Sequence, residues 1–175
     1  MIRHAEIKLI LPHRHPMLLV DAVLAVHEGR SVTAIKNVSR NEFCFAALPR
    51  ELPHTAFEYP PSLIIESFCQ AAGILQVLST RDAARTGLLM LFGAVSNLHF
   101  HGAVYAGETL VHEARIETAL SDAAIFSGTV SVADRLIMTV ERVVVALRPN
   151  AALASAQPAA GDAPPFSAHA AGRVR

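Results

Sequence analysis

Two prolines followed by a long apolar run containing one carboxylate, YPPSLIIESFCQAAGILQVLS (59 to 79), constrain this chain more than any other segment. Pro61 suits the first turn of a helix, where a missing N–H costs nothing, and the Leu, Ile and Ala that follow predict a helix from about Pro61 to Ser79. Its apolar residues go nearly all the way round, so such a helix must lie buried against a large partner. With 175 residues, of which 52% are hydrophobic, the chain can build one well-buried domain. The only partner large enough is a sheet.

The strands for that sheet are readable on either side of the helix. MLLVDAVLAV (17 to 26) and SVTAIKNVS (31 to 39) are β-branched or apolar runs joined by HEGR, which suits a hairpin. In 108 to 118, Leu110, His112, Ala114 and Ile116 alternate with Val111, Glu113, Arg115 and Glu117, so one face is wet. Phe126, Gly128, Val130 and Val132 alternate in the same way, and LIMTVERVVVAL (136 to 147) reads as a more buried strand. Short polar joints at Ser121-Asp122 and Asp134-Arg135 make these three an antiparallel meander. The expected architecture is α+β: a long central helix wrapped by a curved antiparallel sheet, over residues 1 to 148. From 149 to 175 Ala, Pro, Gly and Ser dominate, and a disordered tail is expected.

Fifteen basic and fifteen acidic residues balance, which argues against nucleic acid or an anionic membrane as a partner. Charges at Arg3, Glu6 and Lys8 break the opening segment, so it does not read as a secretory signal, and no segment reads as a membrane span. Two cysteines, Cys44 and Cys69, with Cys69 inside the apolar run, suit reduced thiols and a cytoplasmic location.

Glu66 and Gln70 share one face of the predicted helix and form a polar spot on an apolar rod. A carboxylate buried alone costs several kcal/mol, so Glu66 must be paired, reach water or hold its proton more tightly. The last condition suits a general acid; the plain alternative is a side chain on the exposed edge of the helix. His13-Arg14-His15, between Pro12 and Pro16, reads as surface or supporting cations in an extended turn. His99 and His101 have metal-pair spacing on a strand but no clear third ligand, so no metal and no cofactor is expected. Ser62 reads as a helix-start residue, and Arg81 and Arg85 as a solvated face able to meet an acidic protein surface.

LPHRHPMLLVDAVL (11 to 24), EGRSVTAIKNVSRNEFCF (28 to 45), YPPSLIIESFCQAAGIL (59 to 75) and FGAVSNLHFHGAVYAGETL (92 to 110) together resemble the hotdog-fold 3-hydroxyacyl-acyl-carrier-protein dehydratases of the FabA/FabZ type. The resemblance spans nearly the whole chain before the tail. It implies a dimer with an acyl tunnel at its interface, and removal of water from a 3-hydroxyacyl thioester carried on a phosphopantetheine arm. In that family a histidine takes the α-proton, a helix carboxylate protonates the departing hydroxyl, and a backbone N–H steadies the thioester oxygen. Glu66 matches the carboxylate and Gln70 the glutamine after it; Gln70, Pro61 and Phe100 are the substrate-binding positions that the resemblance implies.

Two features depart from the family pattern. The Gly-His-Phe-Pro-Gly stretch is replaced by a longer FAALPRELPHTAFEYPP, with Ala47 or Leu52 at the histidine position, and His54 is the only imidazole in that loop. His54 is therefore the candidate catalytic histidine, two residues out of register. The family's Pro-Gly at the helix start is Pro60-Pro61, and proline has no N–H to offer an oxyanion. In the family each site takes its histidine and oxyanion amide from one subunit and its carboxylate from the other, so the resemblance implies that this chain keeps the donated half and lacks the receiving half. The expected function is a dehydratase subunit of a fatty acid or polyketide type pathway, meeting acyl carrier protein and pairing with a related hotdog chain or with itself. A thioesterase using Glu66 to activate water, or a non-catalytic acyl-binding partner, are the alternatives.

Overall fold

A computed structural model describes residues 1–49, 51–80, 88–120 and 122–149. Arg81, Arg85 and the expected tail beyond Pro149 lie outside them. The elements are β1 (Ile2–Arg3), α1 (His4–Ile10), β2 (Ala22–His27), β3 (Ser31–Asn37), α2 (Pro61–Ser79), β4 (Leu88–Phe100), β5 (Thr109–Ala119), β6 (Ala123–Val132) and β7 (Arg135–Pro149). Two short 3₁₀ turns, Phe43–Phe45 and His54–Phe57, interrupt the connection from β3 to α2.

All strands join one antiparallel sheet in the order β1-β2-β3-β5-β6-β7-β4, and α2 packs on its middle, against β5, β3 and β6. The expected helix wrapped by a sheet is therefore what forms. Pro60 caps α2 in extended conformation and Pro61 is its first helical residue. Buried positions surround the helix, from Leu63 and Ile64 through Phe68, Ala71 and Ala72 to Ile74 and Leu75. It is long and apolar enough to cross a membrane, but most of it is buried in the fold, as a core helix would be.

The β2–β3 hairpin turns at Glu28-Gly29-Arg30, where Gly29 has φ +70°, and β5, β6 and β7 form the expected meander. Three elements depart from the expectation, and two of the departures have a physical cause in the structure. Residues 17 to 20 are not strand, because the amides of Met17 and Leu18 are taken by the Arg14 carbonyl and those of Leu19 and Val20 by a helix side chain, and pairing with β3 begins only at the Asp21 amide. The short α1 and the long β4 were not apparent from periodicity. β4 lacks a clean alternation because its residues from Leu91 to Asn97 are exposed on both faces.

The helix and the sheet meet tightly at Gly128 of β6. A Cβ on Gly128 would collide with the carbonyl oxygen of Glu113 and lie 2.8 Å from Cε2 of the Phe68 ring. Phe68 is fully buried there, and the β6–β7 register shifts between Phe126 and Gly128. A backbone carbonyl cannot swing aside like a side chain, so this glycine sets how closely α2 sits. Gly128→Ala is expected to lower stability by about 2–3 kcal/mol. An unchanged urea midpoint would contradict this packing.

His112 projects from β5 onto the same covered face, wholly buried, with no hydrogen-bond partner on either ring nitrogen among the described residues. Burial, and then the positive charge of Lys36, push its pKa down to about 3. The unfolded chain takes up this proton near pH 6.5 while the folded chain stays neutral far below it. The contribution is whole above about pH 6.5 and is lost as pH falls toward 3, by about 2 kcal/mol at pH 5. His112→Leu is expected to remove that part of the pH dependence in urea unfolding at pH 7 and pH 5. Equal losses in both proteins would count against it.

Candidate functional site

Glu66 and Gln70 emerge from one face of α2, as their spacing requires, but the structure gives them different tasks. The Gln70 side chain is buried and fully committed. Its Nε2 donates to the Met17 carbonyl at 2.7 Å and to Glu66 Oε1 at 2.8 Å. Its Oε1 accepts from the Leu19 amide at 2.9 Å and the Val20 amide at 3.4 Å. Two donors and two acceptor positions are all that a primary amide has. Within this chain the Gln70 amide therefore holds the loop from Met17 to Val20 on the helix and steadies Glu66.

Glu66 lies at the edge of this clamp, with its side chain 31% exposed. It is both paired and in reach of water, two of the three conditions expected of it. His13 Nε2 stands 3.3 Å from the same oxygen, Oε1, that Gln70 binds. Among the described residues Oε2 has no protein partner. The loop that brings His13 here is braced on itself. Arg14 Nη1 donates to the carbonyls of Leu11 at 2.8 Å and His13 at 2.6 Å, while the Met17 and Leu18 amides donate to the Arg14 carbonyl. His15 is exposed, so of the His-Arg-His triplet only His13 turns inward. Sequence spacing gave no sign of this, since 53 residues separate His13 from Glu66 and the hydrogen bonds of the Gln70 amide that join their segments are not readable from it.

Both cysteines are free thiols. Burial, and then the charge of Glu66, push the Cys69 thiol up to about 12, and burial with the charge of Glu42 raises that of Cys44. Neither is a ready thiolate at neutral pH.

The other half of the expected site is arranged differently. Pro61 is exposed at the start of α2 with no N–H, and Ser62 follows it, exposed. Ala47 is exposed, Leu52 is half-buried, and neither carries a proton-transferring group. His54 is exposed on its 3₁₀ turn with its ring 5.0 Å from that of Tyr105, and it makes no contact with Glu66 of the same chain. The end of this loop is pinned to the segment ahead of β5: the Tyr59 amide donates to the Val104 carbonyl at 2.7 Å and the Ala106 amide to the Phe57 carbonyl at 3.1 Å. Phe100 closes β4, opposite Met138, and is 40% exposed. His101 Nε2 lies 3.0 Å from Thr139 Oγ1. Among the described residues no group of three His, Cys, Asp or Glu side chains is placed to hold a metal ion.

β4 is the last strand on its side of the sheet, and Leu91, Phe92 and Val95 are 39%, 39% and 42% exposed on it. An edge strand carrying exposed large apolar side chains is a surface suited to pairing with another chain. What the site offers chemically is one carboxylate with a fixed oxygen and an open one, in a chain that sets no proton-accepting group opposite the open oxygen among its described residues.

A FabA-like domain model matches residues 11–141. A relative from Listeria welshimeri, called 3-hydroxyacyl-[acyl-carrier-protein] dehydratase FabZ, is 41% identical over 111 residues, which are 63% of this chain and 72% of the relative. A FabZ dehydratase from Teredinibacter turnerae is 31% identical over 144 residues, covering 75% of this chain and 96% of its own length. Among solved structures, the dehydratase heterocomplex ApeI:P from Xenorhabdus doucetiae matches with a TM-score of 0.69 at 20% identity, over 86% of this chain and 95% of that one. A thioesterase from Pseudomonas aeruginosa matches with a TM-score of 0.59 at 12% identity, over 83% and 93%. The two structural likenesses support the hotdog fold alone, whereas the family model and the sequence relatives reach further: this chain belongs to the FabA-like domain family.

Proposed function

We propose that this chain is a dehydratase-type subunit acting on 3-hydroxyacyl thioesters carried by acyl carrier protein, and that it works in a dimer with a related hotdog chain to which it donates Glu66. The observation that carries the reading is the Glu66 carboxylate, anchored through one oxygen and open at the other. Relatives named as dehydratases of carrier-bound 3-hydroxyacyl groups support the reaction class. The heterocomplex among the structural likenesses accords with a mixed dimer.

In the proposed reaction a base takes the α-proton, the Cβ–O bond breaks, and protonated Glu66 delivers its proton to the departing hydroxyl, which leaves as water. The base's proton returns to Glu66 through solvent and closes the cycle. Base and oxyanion N–H come from the partner's loop and helix start, because here those positions hold Ala47 or Leu52 and Pro61. An absent oxyanion donor alone costs about 3 kcal/mol of transition-state stabilisation. The exposed apolar side chains of β4 supply the surface for pairing, and Phe100 at its end lines the acyl path. His54 is the one imidazole in this chain's own loop, and it would serve only if a dimer of identical chains brought a partner's Glu66 to it.

The chain is to be assayed with a 3-hydroxyacyl-acyl-carrier-protein thioester, alone and mixed with a FabZ-like chain that has the histidine and glycine. Enoyl product is expected from the mixture beyond that of either chain alone, and Glu66→Gln is expected to lower this gain by about 100-fold or more. Robust dehydration by the chain alone would refute the mixed dimer. Free acid as the product would identify a thioesterase, and an unaffected Glu66→Gln mixture would identify a non-catalytic acyl-binding partner.

A further inference from the structure

Glu66 has two chemically equivalent oxygens in water, and the fold makes them different. Oε1 receives the Gln70 amide at 2.8 Å and faces His13 Nε2 at 3.3 Å; Oε2 has no partner among the described residues. Which ring nitrogen of His13 carries the proton decides what that second contact does. His13 Nδ1 is buried without a hydrogen-bond partner. A proton there would leave a buried donor unmade, whereas a bare lone pair is the cheaper orphan. Nε2 stands 3.3 Å from Oε1, where a proton is attracted to the carboxylate and a lone pair would face its electrons. Both considerations select the same tautomer.

We infer that His13 is a positioning residue for Glu66: as the Nε2–H tautomer it joins Gln70 in saturating Oε1, so that the transferable proton resides on Oε2. The inference rests on the dehydratase reading for its catalytic meaning, while the tautomer follows from the site itself. With one nitrogen buried and the other committed to Oε1, His13 is not placed to take a substrate's α-proton, so it does not replace the family's missing base. The contact is at ion-pair distance without hydrogen-bond geometry, and catalytic contacts of this kind commonly tighten once substrate is bound. An acid that must deliver its proton in one direction gains from having its other oxygen held, since the carboxyl then needs no rotation before transfer.

Two measurements test this on the full-length chain. Nitrogen-15 spectroscopy of the histidine rings above neutral pH is expected to show His13 with an unprotonated Nδ1 and a protonated Nε2; the opposite tautomer would overturn the assignment whatever the protein's activity. In the mixed dimer, with a 3-hydroxyacyl-acyl-carrier-protein thioester as probe, His13→Phe keeps the ring's bulk without a donor and is expected to lower kcat at least about tenfold while KM stays within about twofold. His13→Gln restores an N–H at a similar reach and is expected to recover kcat to within about threefold of the unaltered chain. A His13→Phe chain with full kcat, or a His13→Gln chain no better than His13→Phe, would overturn the positioning role. If the unaltered mixture turns over nothing, the dehydratase reading fails, and the tautomer still decides how His13 meets Glu66.

Discussion

The Gln70 amide is the contact on which this site is built. It joins a helix in the core to a loop more than fifty residues earlier, and it uses both of its donors and both of its acceptor positions to do so. No other side chain of similar length has that inventory: glutamate would lose both donors and repel Glu66, and leucine or methionine would leave the Leu19 and Val20 amides buried and unmade. Because those amides end on a side chain, the segment from 17 to 20 is drawn onto the helix instead of extending β2, and His13 arrives beside Glu66. One residue thereby sets the path of the loop, the anchoring of the carboxylate and the identity of its neighbour.

The clamp works only if α2 itself is held firmly, and that firmness comes from the opposite side. Phe68 lies against Gly128, whose missing Cβ lets the helix approach β6, and the wholly buried His112 sits on the covered face of β5. A neutral imidazole in that place destabilises the fold in acid, yet it fills the face without a charge, because burial holds it neutral throughout the neutral range. Packing on the sheet side and hydrogen bonding on the loop side fix the same few turns of helix from two directions. Glu66, between them, keeps one rotamer-defining contact and an open oxygen.

Much of the fold was legible in the residues. Pro60-Pro61 and the all-round apolar run placed α2 correctly because both signals are local, and the hairpin at Gly29 and the alternation around His112 placed β2, β3 and β5 for the same reason. What periodicity missed depends on distant partners. β4 has apolar side chains on both faces and no alternation to read, and residues 17 to 20 look like strand until the destination of their amides is known. In the site, Glu66 and Gln70 were visible from spacing and resemblance, but their division of labour was not. A clue to His13 lay in Gln70: a glutamine on an apolar helix must find four partners, and backbone that has no strand to pair with can supply them.

The departures from the family pattern also follow structural seams. Glu66, Gln70 and His13 depend on one another through contacts within one chain, so losing any of them would disturb the others and the loop path with them. The histidine position lies on the separate connection between β3 and α2 and the oxyanion position at the first residue of α2; the end of that connection is pinned to the rest by Tyr59, Phe57 and their backbone partners at Val104 and Ala106. That connection can lengthen and exchange its functional residues while Tyr59 and Phe57 stay buried and the start of α2 stays in place. In a dimer of two such chains, the donating half of one site and the receiving half of the other therefore belong to different mechanical units of each subunit. On the proposed reading, a chain whose competent partner supplies the receiving half is free to change that connection and still present Glu66 across the interface. This accounts for Ala47 or Leu52 and Pro61 standing where the family has its histidine and glycine, while Glu66 and Gln70 are kept.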